Sequence, residues 1–396
     1  MGKRSFDLVI AGAGPAGSLA AYTAARAGLE VLLLEREAFP RPKPCGGLLS
    51  GKALASLPWP LPEEIWECPI RGVSLVNNRG EALYFRQEKA FAVTVRRELL
   101  DQFLLEKARG AGARFLDNTP LTDLSQREED LTVVTPQGNF RALVVIGADG
   151  YQSRTARAAG LRRQWSPWER GTALVSRPFL PREEAARLTR GGDAATFFTL
   201  PLPASLGWLF PLDTGVSVGI GAPSLVGKQL FPLFQDFLAL LNRTYGTSIP
   251  CRQPQIWHLP AGGFPRPLAR GNVLLVGDAA GFVDPFSGEG IYWAVNSGIT
   301  AANLAIAYLA GKLPGSLAQA YSRECRKKWQ REFGLSLLLA LLTGKKDLFF
   351  RILKHNPKAM ALFPTIMQEP GCYRKLFLTA LPRLPLLLAR ALLGKR

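Results

Sequence analysis

Three glycines stand where this chain could first do chemistry. Gly12, Gly14 and Gly17 fall in the G-x-G-x-x-G spacing, with Ala16 just before the last of them, directly after the apolar run Leu8–Ala11. Gly12 permits a sharp turn, Gly14 lets backbone approach a diphosphate with no Cβ in the way, and Gly17 lets a helix lie close on a strand. Unpaired N–H groups at the start of that helix then face phosphate oxygens. Glu35 follows 18 residues after Gly17 and ends a second apolar run, where its carboxylate can accept hydrogen bonds from a ribose. Arg36, beside it, is grouped with the same site. A glycine-rich turn in an ordinary α/β unit would show part of this pattern. Here strand, helix, second strand and terminal acid all fall in place for a dinucleotide.

Two later motifs repeat the theme of an acid after a buried strand. Gly147-Ala148-Asp149-Gly150 follows Phe140–Ile146, and Gly277-Asp278 follows Val273–Val276. Ligands of open α/β sheets bind beyond the carboxyl ends of the strands, so Asp278, read as a strand-ending acid, can accept a ligand hydroxyl there. Pro285 to Ile291, with Gly288 and Gly290, opens a long apolar helix to Leu309 whose first N–H groups favour negative charge. A third feature is the loop Phe39–Gly51, whose three prolines and three glycines exclude regular structure. It carries Lys43, Cys45, Gly46 and Gly47 away from the second strand. It reads as a lining of the active site or, alternatively, as a surface loop with an incidental thiol.

These residues need a scaffold to hold them. The pattern predicts a right-handed βαβ unit at the start. Short strands follow at 73–76, 82–85 and 90–95, then an amphipathic helix from Arg97 to Gly110 and a hairpin over 131–146. Four strands between 171 and 222 and a helix over 230–245 read as an inserted sheet domain, with Trp168, Phe197, Phe198, Trp208 and Phe210 as aromatic walls. The expected fold is α/β: a Rossmann-like nucleotide-binding domain (1–160 and 261–312), an inserted antiparallel-sheet substrate domain (161–260) and a helical C-terminal region (313–396). That last region is expected to break at Pro357, Pro364, Pro370, Pro382 and Pro385.

Composition narrows the function classes. The chain has 396 residues, 47% of them hydrophobic, which is ample for large cores. Two histidines and five scattered cysteines without paired spacing argue against a metal site. No secretory signal precedes Asp7, so reduced thiols and a cytoplasmic setting are expected. Net charge is +18, and residues 323–396 hold 16 Lys/Arg against 4 Asp/Glu. Apolar runs Leu335–Leu342 and Leu384–Leu388 interleave with those charges and are too short to span a bilayer. The segment reads as a membrane-surface element at the inner face of the membrane. An ordinary basic helical domain and a dock for an acidic protein are alternatives; no nucleic-acid module is present.

Taken together, the order and spacing of the three motifs resemble the flavoprotein superfamily with a para-hydroxybenzoate-hydroxylase-like fold. The details resemble its geranylgeranyl reductase family. Lys43-Pro44-Cys45-Gly46-Gly47 is similar to that family's Lys-Pro-Cys-Gly-Gly segment, and Gly277 to Ile291 to its flavin segment. Pro203 to Pro211, which includes Leu206, Trp208 and Phe210, resembles the archaeal members' P-x-x-Y-x-W-x-F-P lipid-contact motif, with Leu206 in place of Tyr. Arg97 matches the arginine of the superfamily's first long helix. The resemblance covers about residues 5–310.

It implies FAD as cofactor, held by Gly12, Gly14, Ala16, Gly17, Glu35, Arg36, Lys43, Arg97, Asp149, Gly277, Asp278, Gly288, Gly290 and Ile291. It implies prenyl-chain contact at Leu206, Trp208, Phe210 and Pro211, a catalytic Cys45-Gly46-Gly47 loop, and a tunnel to which Phe197, Phe198 and Phe264 could add. The activity implied is saturation of prenyl C=C bonds by hydride transfer and protonation, with NADPH, ferredoxin or a quinol as electron donor. A flavin monooxygenase (aromatic hydroxylase or polyene epoxidase) is the main alternative. A flavin halogenase and a membrane-docked electron-transfer flavoprotein stand behind it. After Asp149, many hydroxylases place Arg where this chain has Ala156, which weakens the monooxygenase reading.

Overall fold

In a computed structural model, residues 5–127, 130–251, 253–264, 267–342, 344, 346–356, 361–380 and 382 are described. The chain divides into two compact units. The first holds 1–43, 97–169 and 259–331, and the second holds 44–96, 170–258 and 332–396. This differs from the expected division: residues 161–169, expected in the inserted domain, stay with the first unit. Residues 44–96 join the sheet-rich unit, and the C-terminal region is shared, its first part going to the first unit and the rest to the second.

The first unit is built on an eight-stranded sheet. Strand Ser5–Ala11 lies parallel between Val31–Leu34 and Gly138–Gly147, and Val273–Leu275 continues the parallel set. Val31–Leu34 is buried throughout, as expected of a parallel strand covered on both faces. Register explains why distant motifs share one edge. Ala11 pairs with Leu34 and with Gly147, and Gly147 pairs with Leu275. Gly12, Glu35, Ala148 and Val276 are therefore the first residues past the same line of strand ends.

Helix Pro15–Arg26 packs on helix Ile291–Leu309 at very short range, because a Cβ on Gly298 would stand 2.2 Å from the Ala16 carbonyl oxygen. Helix Leu317–Leu342 begins in this unit, where the Tyr321 hydroxyl donates to the Leu275 carbonyl at 2.7 Å. Trp329 meets the Phe282 ring edge-on at 5.1 Å. The start of the expected basic tail is thus core material.

The second unit holds a seven-stranded sheet in which Leu206–Leu212 pairs antiparallel with both Ala194–Thr199 and Gly215–Pro223. Side chains alternate across it. Phe198, Leu209, Val218 and Ile220 pack with Phe234, Phe237 and Leu241 of helix Leu230–Tyr245. Gly207 is required there, since a Cβ would lie 2.8 Å from the Phe237 ring. Trp208, Phe210 and Phe197 cluster instead with Ile70, Phe91 and Met367. A three-stranded sheet joins Leu48–Ser50, Ala92–Val95 and Trp66–Ile70. The end of the loop expected to be irregular thus forms strand and then helix Gly51–Ala55.

Three further helices, Lys346–Lys354, Leu362–Gln368 and Cys372–Ala380, belong to the second unit. Pro364 sits in the first turn of its helix, where a missing N–H costs nothing, and so does not break it. Phe350 and Leu353 are buried against Leu75, with Phe197 alongside. Among the described residues no helix is long and apolar enough to cross a membrane. Leu338, Leu341 and Leu342 are exposed at the end of the long helix. Pro357, Pro385 and the run Leu384–Leu388 lie outside the described residues.

Candidate active site

The glycine turn is as tight as its spacing requires. Gly12 sits at φ +104, and a Cβ there would stand 2.3 Å from the Ala148 carbonyl oxygen. A Cβ on Gly17 would lie 1.8 Å from the Gly12 carbonyl oxygen. Gly14 is different: the nearest atom to its absent Cβ is Arg41 Nη2, at 3.7 Å. That space, bounded by a guanidinium and by the start of a helix, suits a phosphate. Ala16 packs beside Gly277, whose missing Cβ would stand 3.1 Å from the Ala16 Cβ. The Glu35 carboxylate, buried, accepts from the Ala13 N–H at 3.0 Å and from the Arg36 N–H at 2.9 Å. The Arg36 side chain turns outward to Glu37 at 2.9 Å.

A buried charge network surrounds this turn. Arg97 grips Asp101 through two bonds, at 3.0 and 2.9 Å. Arg41 joins Asp101 at 3.2 Å and Glu35 at 3.4 Å. Burial pushes the Asp101 carboxyl upward, but the Arg97 and Arg41 guanidiniums outweigh it and hold the group below the usual carboxylate range. Burial pushes the Lys43 ammonium below its ordinary range, against the pull of Asp278 and Asp101. Arg41 beside Gly14, with Arg97 joined to it through Asp101 and Lys43 in the same field, fits an anionic diphosphate. Arg41 was not legible as a site residue. Its one sequence signal is its place between two prolines just past the ribose acid.

The other two motifs fare differently. The Asp149 carboxylate accepts from the Ser153 hydroxyl at 2.5 Å and from the Thr155 N–H at 2.9 Å, and so holds the short helix Arg154–Ala158. The following Gly150, at φ +75, borders open space. Asp278 does not end a strand. The strand stops at Leu275, and Asp278 lies in the first turn of the short helix Gly277–Ala280. Gly277, at φ +54, donates its N–H to the Ser297 hydroxyl at 2.9 Å. A Cβ on Gly290 would stand 3.5 Å from Asp278 Oδ1, so these two residues are neighbours. Asp284, fully buried, accepts from the Phe286 and Ser287 N–H groups at 3.0 and 2.7 Å. This Asx-type turn shapes the approach through Gly288 to Gly290, the cap of the helix starting at Ile291.

Residues 7–171 match the family described as FAD dependent oxidoreductase, and residues 242–332 match the one described as FAD binding domain. Menaquinone reductase of Mycobacterium tuberculosis is 33% identical over 351 residues, with 81% of each chain covered. Geranylgeranyl diphosphate reductase of Rhodobacter capsulatus is 30% identical over 325 residues, with 79% of this chain and 78% of that one covered.

The chain belongs to the geranylgeranyl reductase family.

Its cofactor is FAD, and it is an FAD-dependent oxidoreductase. The fold agrees with a solved structure of a geranylgeranyl bacteriochlorophyll reductase-like protein from Thermoplasma acidophilum. The TM-score is 0.76 at 23% identity, over 86% of this chain and 87% of that one.

The remaining candidate residues of this reductase-family chain lie in the second unit. Cys45 Sγ accepts from the Gly47 N–H at 3.4 Å. A Cβ on Gly46 would meet Phe210 at 3.1 Å and the Trp208 indole nitrogen at 3.2 Å. Gly47, at φ +86, has no room for a Cβ beside the Val95 carbonyl oxygen, 2.9 Å away. Trp208 and Phe210 stack with centroids 6.2 Å apart, and Phe197 meets Phe210 edge-on at 5.3 Å. The indole N–H donates to the Ser217 hydroxyl at 3.2 Å, and Gly219 leaves space for the ring, since a Cβ there would lie 2.2 Å from it. The Pro211 carbonyl accepts from the Thr94 hydroxyl at 2.8 Å. Leu206 opens the strand, paired with Thr199 and Gly221. Phe198 is helix-side core, and Phe264 pairs with Phe282 in the first unit at 6.0 Å.

Glu67 and Arg177 adjoin the same loop. Arg177 Nη2 is 3.7 Å from the position of a Cβ on Gly47, and it pairs with Glu67. Burial pushes the Glu67 carboxyl up to about 7, opposed by Arg177 and reinforced by Asp213.

Proposed function

We propose that this enzyme saturates carbon–carbon double bonds of a geranylgeranyl or similar prenyl chain carried by a lipid or isoprenoid. The observation that carries the reading is the Cys45-Gly46-Gly47 loop packed on the stacked Trp208–Phe210 pair. It makes an apolar, aromatic wall with one thiol beside it, which suits a methyl-branched alkene and offers little to a polar ring. The two relatives, by their names, act on menaquinone and on geranylgeranyl diphosphate, both of which bear prenyl chains.

An isolated alkene has no carbonyl to polarise. Alignment of the bond and a nearby acid must therefore lower the barrier. Reduced FAD supplies the hydride. Gly46 lets the loop lie flat on the rings, Trp208 and Phe210 hold the chain, and Leu206 and Pro211 bound the same strand. The Cys45 thiol, beside that wall, would deliver the proton to the second carbon. In the first unit, Gly14, Arg41, Lys43 and Arg97 hold the diphosphate, Glu35 takes the ribose, and the helix starting at Ile291 offers N–H groups to negative charge. Electrons enter from NADPH, a reduced ferredoxin or a quinol; the +18 charge suits an acidic donor protein. The protein acts in the cytoplasm at the inner face of the membrane. Its basic C-terminal region and the exposed Leu338, Leu341 and Leu342 make the contact.

The test is anaerobic. Holoenzyme reduced with dithionite should regain its oxidised flavin absorbance when a geranylgeranyl lipid is added and stay reduced with the fully saturated analogue. Equal behaviour with both lipids refutes the reading.

A further inference from the structure

Lys346 lies at the start of helix Lys346–Lys354, far in sequence from the residues assigned to the substrate wall. Its side chain nevertheless ends in the loop that feeds the Trp208–Phe210 strand. Nζ donates to the Leu202 carbonyl at 2.6 Å, to the Ser205 carbonyl at 2.9 Å and to the Ser205 hydroxyl at 3.1 Å, and it also reaches the Leu200 carbonyl. All four acceptors are neutral oxygens. An ammonium has three protons to give, so this loop satisfies it fully.

The loop is shaped around that cation. Ala204 sits at φ +49, a left-handed conformation that non-glycine residues seldom adopt. The Ser205 N–H and hydroxyl both fold back on the Leu202 carbonyl. Carbonyls turned inward in this way repel one another unless a donor stands among them. The next residue, Leu206, begins the strand. The strand's far end is fixed by Thr94 on Pro211 at 2.8 Å. Helix Lys346–Lys354 has a second grip on the same region, through Phe350 in the cluster that includes Phe197.

We infer that Lys346 is a positioning residue for substrate binding: its ammonium locks the Leu200–Ser205 loop and so fixes the register of Leu206, Trp208 and Phe210. The functional part rests on the reading that those residues hold the prenyl chain. A C-terminal helix expected to meet a membrane or a partner thereby sets the shape of the candidate substrate wall.

The experiment uses holoenzyme carrying Lys346→Met, Ser205→Ala or both. Hydrogen exchange at the amides of residues 200–212 is followed by mass spectrometry, and KM and kcat are measured with a geranylgeranyl lipid under reducing, anaerobic conditions. Lys346→Met should speed exchange in that segment and raise KM on the order of tenfold, with kcat changed less than about twofold, as expected when uniform binding is lost. Ser205→Ala should act in the same direction more weakly, and the double variant should fall short of the summed effects, because the two share one bond. If Lys346→Met does not fold, Ser205→Ala gives the same pair of readouts. Unchanged exchange overturns the inference, and so does faster exchange with unchanged KM. If the wild type fails to reduce prenyl lipids, the functional reading falls, while the exchange data still decide whether Lys346 holds the loop.

Discussion

Gly46 lies so close to Trp208 that a methyl group on its Cα would stand 3.2 Å from the indole nitrogen. The same methyl would meet the Phe210 ring at 3.1 Å. The loop and the aromatic pair therefore fit most closely while residue 46 has no side chain, and a Cβ there asks a ring to give by a few tenths of an ångström. Gly46→Ala must push either the loop or a ring aside, at a cost of about 1–3 kcal/mol for a crowded contact. The expected result is a KM for prenyl substrate raised on the order of tenfold, with FAD content unchanged. Steady-state kinetics and the flavin absorbance of the purified protein check both halves.

Arg41 is the residue of the first unit whose removal should be felt most directly in cofactor binding. It stands beside Gly14 and bonds both Glu35 and Asp101. A lost charge-assisted bond is worth about 1.5–3 kcal/mol, and tenfold in affinity corresponds to about 1.4 kcal/mol. Arg41→Ala should therefore weaken FAD binding by roughly tenfold to a hundredfold. Titration of apoprotein with FAD, read by quenching of flavin fluorescence, measures this without any turnover.

Stability should carry a pH signature from Glu67. Burial raises its carboxyl to about 7 in the fold, against an ordinary 4.5. Between those values the folded state binds more protons than the unfolded chain, so stability from this group is greatest below the lower value and is lost as pH rises through the upper one. Glu67→Gln, which stays neutral, should flatten the fall of Tm between about pH 5 and about pH 8. Calorimetry of the two proteins across that range decides it. A parallel fall in both would remove Glu67 as the source.

Cys45 is assigned the proton. A positioned general acid contributes on the order of a hundredfold or more in rate, so Cys45→Ala should lower kcat by about that factor and Cys45→Ser by less. Substrate binding should hold in both. Unchanged single-turnover rates in both variants would take the thiol out of the chemistry.

Much of this was readable from sequence, for a physical reason. Gly12 and Gly17 act through backbone geometry and Glu35 through its place just past a strand end, all fixed within one βαβ unit, so spacing alone carries the information. Gly298, Gly219 and Arg41 depend on what the folded chain brings to them. Nothing local to Gly298 predicts a carbonyl of Ala16 at 2.2 Å from its missing Cβ. Asp149 shows the opposite lesson. Its motif is plain in the sequence, yet its carboxylate is taken up by Ser153 and Thr155, a local cap. The buried share of the C-terminal helices is not legible in the same way, because charge and apolar runs look alike on a membrane-facing helix and on helices that bury Tyr321, Phe333 and Phe350. Only tertiary packing separates those cases.

The most direct test of the central claim weighs the product. Reduced holoenzyme is incubated without oxygen with a geranylgeranyl lipid, and the lipid is recovered for mass spectrometry. Products heavier by two hydrogens for each double bond saturated, formed in step with flavin reoxidation, are the expected result. An unchanged lipid mass, together with rapid NAD(P)H and oxygen consumption stimulated by an aromatic or polyene compound, would contradict it.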